Sequence, residues 1–167
     1  MIILDTNVLS ALMRQEPDPP VLQWLDLQAP ESIWITSMTL FESRLGMALV
    51  PHCRRRRALE AAFARLLEED LENRVLPFDS DAAVQATTLA AERQRAGRPV
   101  DIRDAQIAGI AQARRATLAT RNVRHFEGLT VAVLNPWAWG LAPAPLVTAS
   151  ASEVLYRLGI ADTSNEG

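Results

Sequence analysis

The residues with the clearest chemical potential are carboxylates that stand next to apolar segments. Asp5 follows the apolar residues 2–4, which predict a short buried strand, and a helical segment begins directly behind it. Sheets of parallel strands bind ligands in the crevice beyond the carboxyl ends of those strands. Asp5 is therefore a candidate ligand-binding carboxylate, and the alternative is that its side chain only caps the helix that follows.

A second carboxylate, Glu42, falls within an apolar stripe of a predicted helix. Met38, Leu45 and Leu49 share its helical face by spacing, which predicts that this face points inward. A carboxylate buried there without partners would be costly, so it needs a cation, hydrogen bonds or a raised pKa. Gly46, one turn later, would permit close approach of another element. The alternative for Glu42 is an edge position paired with a nearby arginine.

The third carboxylate, Asp104, lies in the first turn of another predicted helix. Ile107, Ala108 and Ala111 follow it at helical offsets, so Asp104 stands above the apolar face of that helix. A first-turn acid also complements the helix dipole, and Asp101 can serve as the cap. Ordinary helix-start chemistry is therefore the alternative to a functional role.

Polar residues also follow a later apolar strand, predicted at residues 117–119. Thr120 and Asn122 offer oxygen atoms and Arg121 offers a cation, although a turn with a surface arginine is equally compatible with this segment. If the three acids converge on these residues at one sheet edge, the site is built from oxygen donors and suits Mg²⁺ or Mn²⁺. Such a site favours phosphodiester hydrolysis, but spacing alone leaves the convergence open.

The elements that must position these residues alternate along the chain. Short strands are predicted at residues 1–4, 32–35, 74–77, 117–119 and 130–134, and helices at 6–13, 21–27, 37–49, 54–72, 80–97 and 101–115. This rhythm predicts an α/β fold with a central parallel sheet of about five strands and helices on both faces. One domain is expected at residues 1–140, followed by a tail or arm at 141–167 that is partly helical near residues 152–158.

Composition narrows the class of protein. The chain has 167 residues and a single cysteine, Cys53, which excludes an intramolecular disulfide and offers no zinc cage. A net charge of −3 gives no global sign of nucleic-acid binding, and the arginines at 54–57 and at 93, 95, 98 and 103 suit either phosphate contacts or solvated helix faces. Since no signal peptide or membrane span is evident, a cytoplasmic protein is expected.

Five segments in a fixed order carry a resemblance to a known family. These are IILDTNVLSAL, ITSMTLFESRLG, DIRDAQIAGIA, LATRN and VAVLNPW, which together extend from Met1 to about Trp137. The sequence resembles the PIN-domain toxins of the VapC and FitB type. The triplet DTN alone is weak evidence, and the ordered set of five segments makes the resemblance specific.

The resemblance implies a metal-dependent endoribonuclease with Mg²⁺ or Mn²⁺ as cofactor. It would be the toxin of a type II toxin–antitoxin module, a homodimer silenced by a cognate antitoxin, and it would meet DNA only through that antitoxin. Asp5, Glu42 and Asp104 would be both catalytic residues and metal ligands. The expected neighbours are supporting residues Thr6, Thr120 and Asn122, and RNA-backbone contacts Arg121 and Arg103.

One departure from the family pattern concerns a fourth acid. The family often carries it where Asn122 stands here, or where His125 stands. Its loss lowers the local negative charge and puts a second metal ion in doubt more than the first. His125 is interpreted as an ordinary loop histidine, and Glu127 is the other residue that could compensate.

Two other functions compete with the nuclease hypothesis. Phosphatases with an aspartate nucleophile resemble a pattern with a second acid two residues after the first, but Asn7 occupies that position. The stronger alternative is a catalytically weak module that binds RNA or an antitoxin. The nuclease hypothesis predicts products with a 5′-phosphate and a 3′-hydroxyl, formed by attack of water.

Overall fold

Five short parallel strands form one sheet in this computed structural model, which describes residues 1–14 and 16–141. The predicted parallel sheet is confirmed. Thr117–Ala119 has the predicted bounds, whereas the last strand is much shorter than predicted. The strands are β1 (Ile2–Leu4), β2 (Ile33–Thr36), β3 (Val75–Leu76), β4 (Thr117–Ala119) and β5 (Val133–Leu134). Their order in the sheet is β3-β2-β1-β4-β5.

Six α-helices connect the strands in the described part of the chain. They are α1 (Thr6–Leu12), α2 (Pro19–Asp26), α3 (Ser37–Ala48), α4 (Arg54–Arg65), α5 (Ser80–Arg95) and α6 (Ile102–Arg114). A π-helical turn, Leu66–Asp70, extends α4, and 3₁₀ turns lie at Pro30–Ser32, Val123–Phe126 and Pro136–Leu141. Side-chain caps begin α3 and α5, where Thr36 and Asp79 accept hydrogen bonds from backbone N–H groups.

The sheet buries a hydrophobic core on each face. Adjacent strand residues point to opposite faces, so Ile3 and Leu4 of β1 belong to different clusters. One cluster joins the sheet to α1, α2 and α4, and the other joins it to α5 and α6. Helices therefore cover both faces, as predicted. The fully buried side chains of the two clusters include Val8, Val21 and Phe63 in the first and Ile107, Ile110 and Leu118 in the second.

Helix α3 does not lie flat on either face. Leu40 and Met47 pack against the first core cluster, whereas Met38 packs against the second, and Thr39 is its buried residue. The expected inward stripe is therefore wrong: Leu45 is 39% exposed and Leu49 is 76% exposed. The helix turns the polar face that contains Thr39 toward the sheet, because the Thr39 hydroxyl bonds to Thr36 and to the Leu4 carbonyl oxygen there.

Gly46 of α3 does not contact another described element closely, contrary to the expectation from the sequence. A Cβ atom added at this position would meet no heavy atom of another described element within 4 Å. The close approach predicted at Gly46 is therefore wrong for the described part of the chain.

The strand order places a topological switch point between β1 and β4. From β1 the chain moves outward through β2 and β3, and it then returns to the other side of β1 as β4 and β5. Leu4 pairs with Ala119, so the next residues of these strands, Asp5 and Thr120, emerge side by side. Switch points of this kind form the ligand-binding crevice of open α/β sheets.

Three further predictions concern a membrane span, a helix near the C-terminal end and the domain boundary. No helix in the described ranges is long and apolar enough to cross a membrane. The predicted helix at residues 152–158 lies outside the described residues, and the division of the chain near residue 140 stays a prediction.

Candidate active site

Asp5 is buried at the carboxyl end of β1, where three hydrogen bonds orient its carboxylate. Its exposed fraction is 4%. Oδ1 accepts a hydrogen bond from the Thr6 backbone N–H at 2.7 Å, and Oδ2 accepts bonds from Asn7 Nδ2 and the Thr120 hydroxyl, both at 2.6 Å. Asp5 therefore caps α1, and it also lies at the crevice, while its role as a ligand-binding carboxylate stays a prediction.

The electrostatic environment of Asp5 links the three predicted acids. Burial raises the pKa of Asp5 above the ordinary aspartate value of 3.8, while hydrogen bonds from Thr120 and Thr6 oppose this rise. The negative charges of Asp104 and Glu42 raise the same pKa further. The three carboxylates thus act on one another, and a cation placed among them would relieve that repulsion.

Glu42 reaches the site from the side of α3. Its Oε2 accepts a hydrogen bond from the Thr6 hydroxyl, and its Oε1 lies 3.2 Å from Nη1 of Arg103. The Glu42 side chain is 19% exposed, so it is neither deeply buried nor free in solvent. The structure agrees with the alternative of an edge position paired with an arginine, and the exposed leucines on its stripe contradict the inward face.

Asp104 stands in the first turn of α6 and contacts His125. The Nδ1 atom of His125 lies 2.9 Å from Oδ2 of Asp104. Burial raises the pKa of Asp104, contact with His125 opposes this rise, and the charges of Asp101 and Glu42 add to it. Asp101 is the cap of α6, as predicted, since its Oδ1 accepts a hydrogen bond from the Arg103 backbone N–H. His125, interpreted from the sequence as an ordinary loop residue, instead contacts a predicted catalytic acid.

A polar network joins the ends of β1 and β4. The Thr120 hydroxyl donates to Asp5 and accepts bonds from Asn7 Nδ2 at 3.1 Å and from the Asn122 backbone N–H at 3.0 Å. The Arg121 backbone N–H donates to Asn7 Oδ1 at 3.0 Å. Asn7 was missed as a site residue, although its place two residues after Asp5 in the DTN triplet was an available signal. Asn122 joins this network through its backbone, where its side-chain oxygen had been expected.

The basic residues have separate roles. Arg56 of the basic run bonds to Glu60 and to the carbonyl oxygens of Ala48 and Val50, so it closes the connection between α3 and α4. Arg103 is the arginine paired with a predicted catalytic acid. The contacts of Arg56 within the protein therefore account for this arginine without the phosphate contact considered for residues 54–57.

The donor atoms at this edge of the sheet suit a hard divalent cation. They are carboxylate and hydroxyl oxygens, which Mg²⁺ and Mn²⁺ prefer. Among the residues that the structure describes, however, no three His, Cys, Asp or Glu side chains are already grouped to hold a metal ion. Glu42 and Asp104 instead face Arg103 and His125. The residues fit such an ion by chemistry, and these two contacts would have to loosen to admit it.

Comparison with known proteins identifies the family. The family model for the PIN domain matches residues 2–129. The plasmid stability protein StbB of Pseudomonas syringae pv. tomato is 41% identical over 82% of this chain and 99% of its own length. The VapC ribonuclease Y4jK of Sinorhizobium fredii is 37% identical over 82% and 98%, and the toxin FitB of Neisseria gonorrhoeae is 33% identical over 82% and 99%.

Solved structures share the same fold. The structure of FitAB bound to an IR36 DNA fragment aligns with a TM-score of 0.76 and 33% identity, over 82% of this chain and 96% of the other. A member of the VapBC family of toxin–antitoxin systems from Mycobacterium tuberculosis aligns with a TM-score of 0.57 and 25% identity, over 80% and 94%. The resemblance found in the sequence is confirmed, and this chain belongs to the PIN domain family.

Proposed function

We propose that this chain is a metal-dependent endoribonuclease and the toxin of a type II toxin–antitoxin module. The observation that carries the proposal is the position of Asp5, buried at the switch point, where burial raises the pKa of its carboxyl and the nearby charges of Asp104 and Glu42 add to the rise. Such clustering of like charges is characteristic of sites that bind a cation or perform acid–base chemistry. The relatives named VapC ribonuclease and toxin FitB support the same activity.

The proposed cofactor is Mg²⁺ or Mn²⁺. Asp5 and Asp104 would hold the ion, and Glu42 would hold a second ion or orient the attacking water. When bound, the ion supplies a Lewis acid that polarises the phosphodiester. The protein's own part is orientation: Asn7 and Thr120 fix the Asp5 carboxylate, and the Thr6 hydroxyl fixes that of Glu42. Attack by water leaves a 5′-phosphate and a 3′-hydroxyl.

The proposed partners are an RNA substrate, a cognate antitoxin and a second copy of the chain, in the cytoplasm. An antitoxin is supported by the similarity to the VapBC and FitAB structures, and DNA contact would then pass through it. A homodimer is supported by apolar side chains that α3 leaves in solvent, namely Phe41 at 51% exposure together with Leu45 and Leu49. Apolar groups exposed together in this way favour burial against another protein surface.

The proposal is tested by cleavage of a mixed RNA pool by the purified protein with Mg²⁺, Mn²⁺ or chelator. Asp5→Asn and Asp104→Asn should abolish metal-dependent cleavage and growth inhibition while the fold is kept. Asp81→Asn is the matched control, because Asp81 is also a first-turn helix acid but lies on α5. It should cleave like the unaltered protein.

Two outcomes would count against this function. Products that end in a 2′,3′-cyclic phosphate would contradict it, because they arise from attack by the ribose hydroxyl and not by water. Binding of RNA or antitoxin with no cleavage under any condition would favour the alternative of a catalytically weak binding module. The pairing of Glu42 with Arg103 is the observation on the side of that alternative.

A further inference from the structure

Arg121 is attached to the site by its backbone. It directly follows Thr120, whose hydroxyl donates to Asp5. Its own backbone N–H donates to Asn7 Oδ1, and the Nδ2 atom of the same Asn7 donates to Asp5. The position of the Arg121 main chain is thus coupled to the buried carboxylate through two short routes.

The side chain of Arg121 has an aromatic partner. Its Cζ atom lies 5.2 Å from the centroid of the Trp137 ring, within the range of a cation–π interaction. Arg103, by contrast, is paired with Glu42 at 3.2 Å and lies 3.8 Å from Asp101. None of the ion pairs found between described residues includes Arg121. Within the described residues the Arg121 guanidinium thus contacts an aromatic ring and forms no ion pair, so its charge stays available to an anion.

Two hydrogen bonds and packing against the core hold Trp137 in place. Its indole N–H donates to Asp18 Oδ2 at 2.8 Å, at the N-terminal end of α2. Its backbone N–H donates to Asn135 Oδ1 at 3.0 Å, and its ring packs against the core cluster of α1, α2 and α4. A ring fixed in this way offers the Arg121 guanidinium a preset surface on which to lie.

A guanidinium that lies on an aromatic face keeps its N–H edge free, and that edge matches two oxygens of a phosphate. A side chain ordered before binding also loses less conformational entropy when the ligand arrives. We infer that Trp137 is a positioning residue, which holds the Arg121 side chain so that its guanidinium binds a phosphate of the RNA substrate. This inference rests on the proposed ribonuclease function and adds the residues that place the RNA backbone.

The experiment measures RNA affinity in Asp5→Asn protein, where cleavage does not interfere, with a single-stranded RNA at several salt concentrations. Arg121→Gln should weaken binding about tenfold, the scale expected for a lost charge-assisted hydrogen bond. It should also lower the slope of log Kd against log salt by about 0.7, the value for one phosphate contact with a single strand. Trp137→Phe keeps an aromatic ring but removes the bond to Asp18, and it should weaken binding about two- to fivefold.

The decisive result is the double variant. If Trp137 acts through Arg121, adding Trp137→Phe to Arg121→Gln weakens binding little further. Trp139→Phe and Arg115→Gln are the controls, since Trp139 lies in the same turn with 44% exposure and Arg115 is exposed at the C-terminal end of α6, outside the network. Both should bind RNA like the parent.

The outcomes separate this inference from the proposed function. Parent protein that binds RNA, with Arg121→Gln and Trp137→Phe effects that add fully, overturns the positioning role alone. Absence of RNA binding by the parent and of cleavage by the unaltered protein overturns both. Arg121→Lys keeps the charge but loses the planar group, so affinity equal to that of the parent would also count against the stacked geometry.

Discussion

The close contact between α5 and α6 gives a prediction about how α6 is positioned. Gly109 is buried on α6, where a Cβ atom would lie 2.4 Å from the Ala82 carbonyl oxygen, 2.7 Å from Ala86 Cβ and 2.9 Å from Ala86 N. Carbon atoms in favourable contact lie about 3.5–4.0 Å apart. Gly109→Ala must therefore push α5 and α6 apart by about 1 Å, because a backbone carbonyl cannot rotate away as a flexible side chain can.

The size of the effect follows from two opposing contributions. Overpacking in a close-packed core costs about 1–3 kcal/mol, and the backbone contact at Gly109 places this substitution in the upper half of that range. Removing a glycine from a helix returns about 0.5–1 kcal/mol. The net loss in the free energy of unfolding should be about 2 kcal/mol, which corresponds to a fall of about 4–8 °C in Tm for a chain of this size.

Urea unfolding followed by circular dichroism measures this loss, with Gly46→Ala as the matched control. Gly46 also lies in a helix, but its added Cβ would meet no heavy atom of another described element within 4 Å, so alanine there should stabilise by about 0.5–1 kcal/mol. The two identical substitutions should therefore shift stability in opposite directions. A stabilising Gly109→Ala would refute the close packing of α5 on α6.

Three further predictions concern the site and the assembly. Arg103→Gln removes the cation that competes with a metal ion for Glu42. Because Arg103 is about half exposed, its ion pair with Glu42 contributes at most about 1 kcal/mol. Calorimetry should therefore find that the variant binds Mn²⁺ about two- to fivefold more tightly. Unchanged or weaker Mn²⁺ binding would contradict this. The pKa values of Asp5 and Asp104 are raised in the folded protein, so their carboxyl groups bind protons more tightly there than in the unfolded chain. Without divalent ions the free energy of unfolding should therefore fall as pH rises from about 4 through the folded pKa values. Asp5→Asn should flatten that fall in unfolding experiments, and a steeper fall would overturn the sign. Leu45→Lys should lower the mass measured by light scattering from dimer to monomer, whereas an unchanged dimer would place the interface elsewhere.

Much of the fold was predictable because it depends on local patterns. Short apolar runs bounded by polar residues located all five strands, and Asp101 was identified as the cap that begins α6. The start of the last strand was the weakest prediction. Residues 130–134 have strand-like composition, but only Val133–Leu134 pair with β4, since pairing depends on how far the neighbouring strand extends.

The site was only partly predictable, and α3 shows the reason. Periodicity found a stripe through Glu42, but it could not tell whether that stripe faced the core or solvent. The answer depended on Thr39, three residues before Glu42, whose hydroxyl bonds to the Leu4 carbonyl oxygen and turns a neighbouring face of the helix toward the sheet. Apolar composition alone predicts that a helical stripe faces the core. In α3 the hydrogen bond from Thr39 to the end of β1 sets a different orientation of the helix.

The contacts across the site follow from strand register, which local sequence does not contain. Leu4 pairs with Ala119, and one further residue on each strand brings Asp5 beside Thr120. Once β1 and β4 are known to be neighbours at the switch point, the hydroxyl that orients the buried carboxylate can be located from the sequence. His125 requires more than register, because its contact with Asp104 depends on the turn after β4 and on where α6 begins. Strand adjacency is therefore the single non-local fact that would convert the list of candidate residues into most of a site.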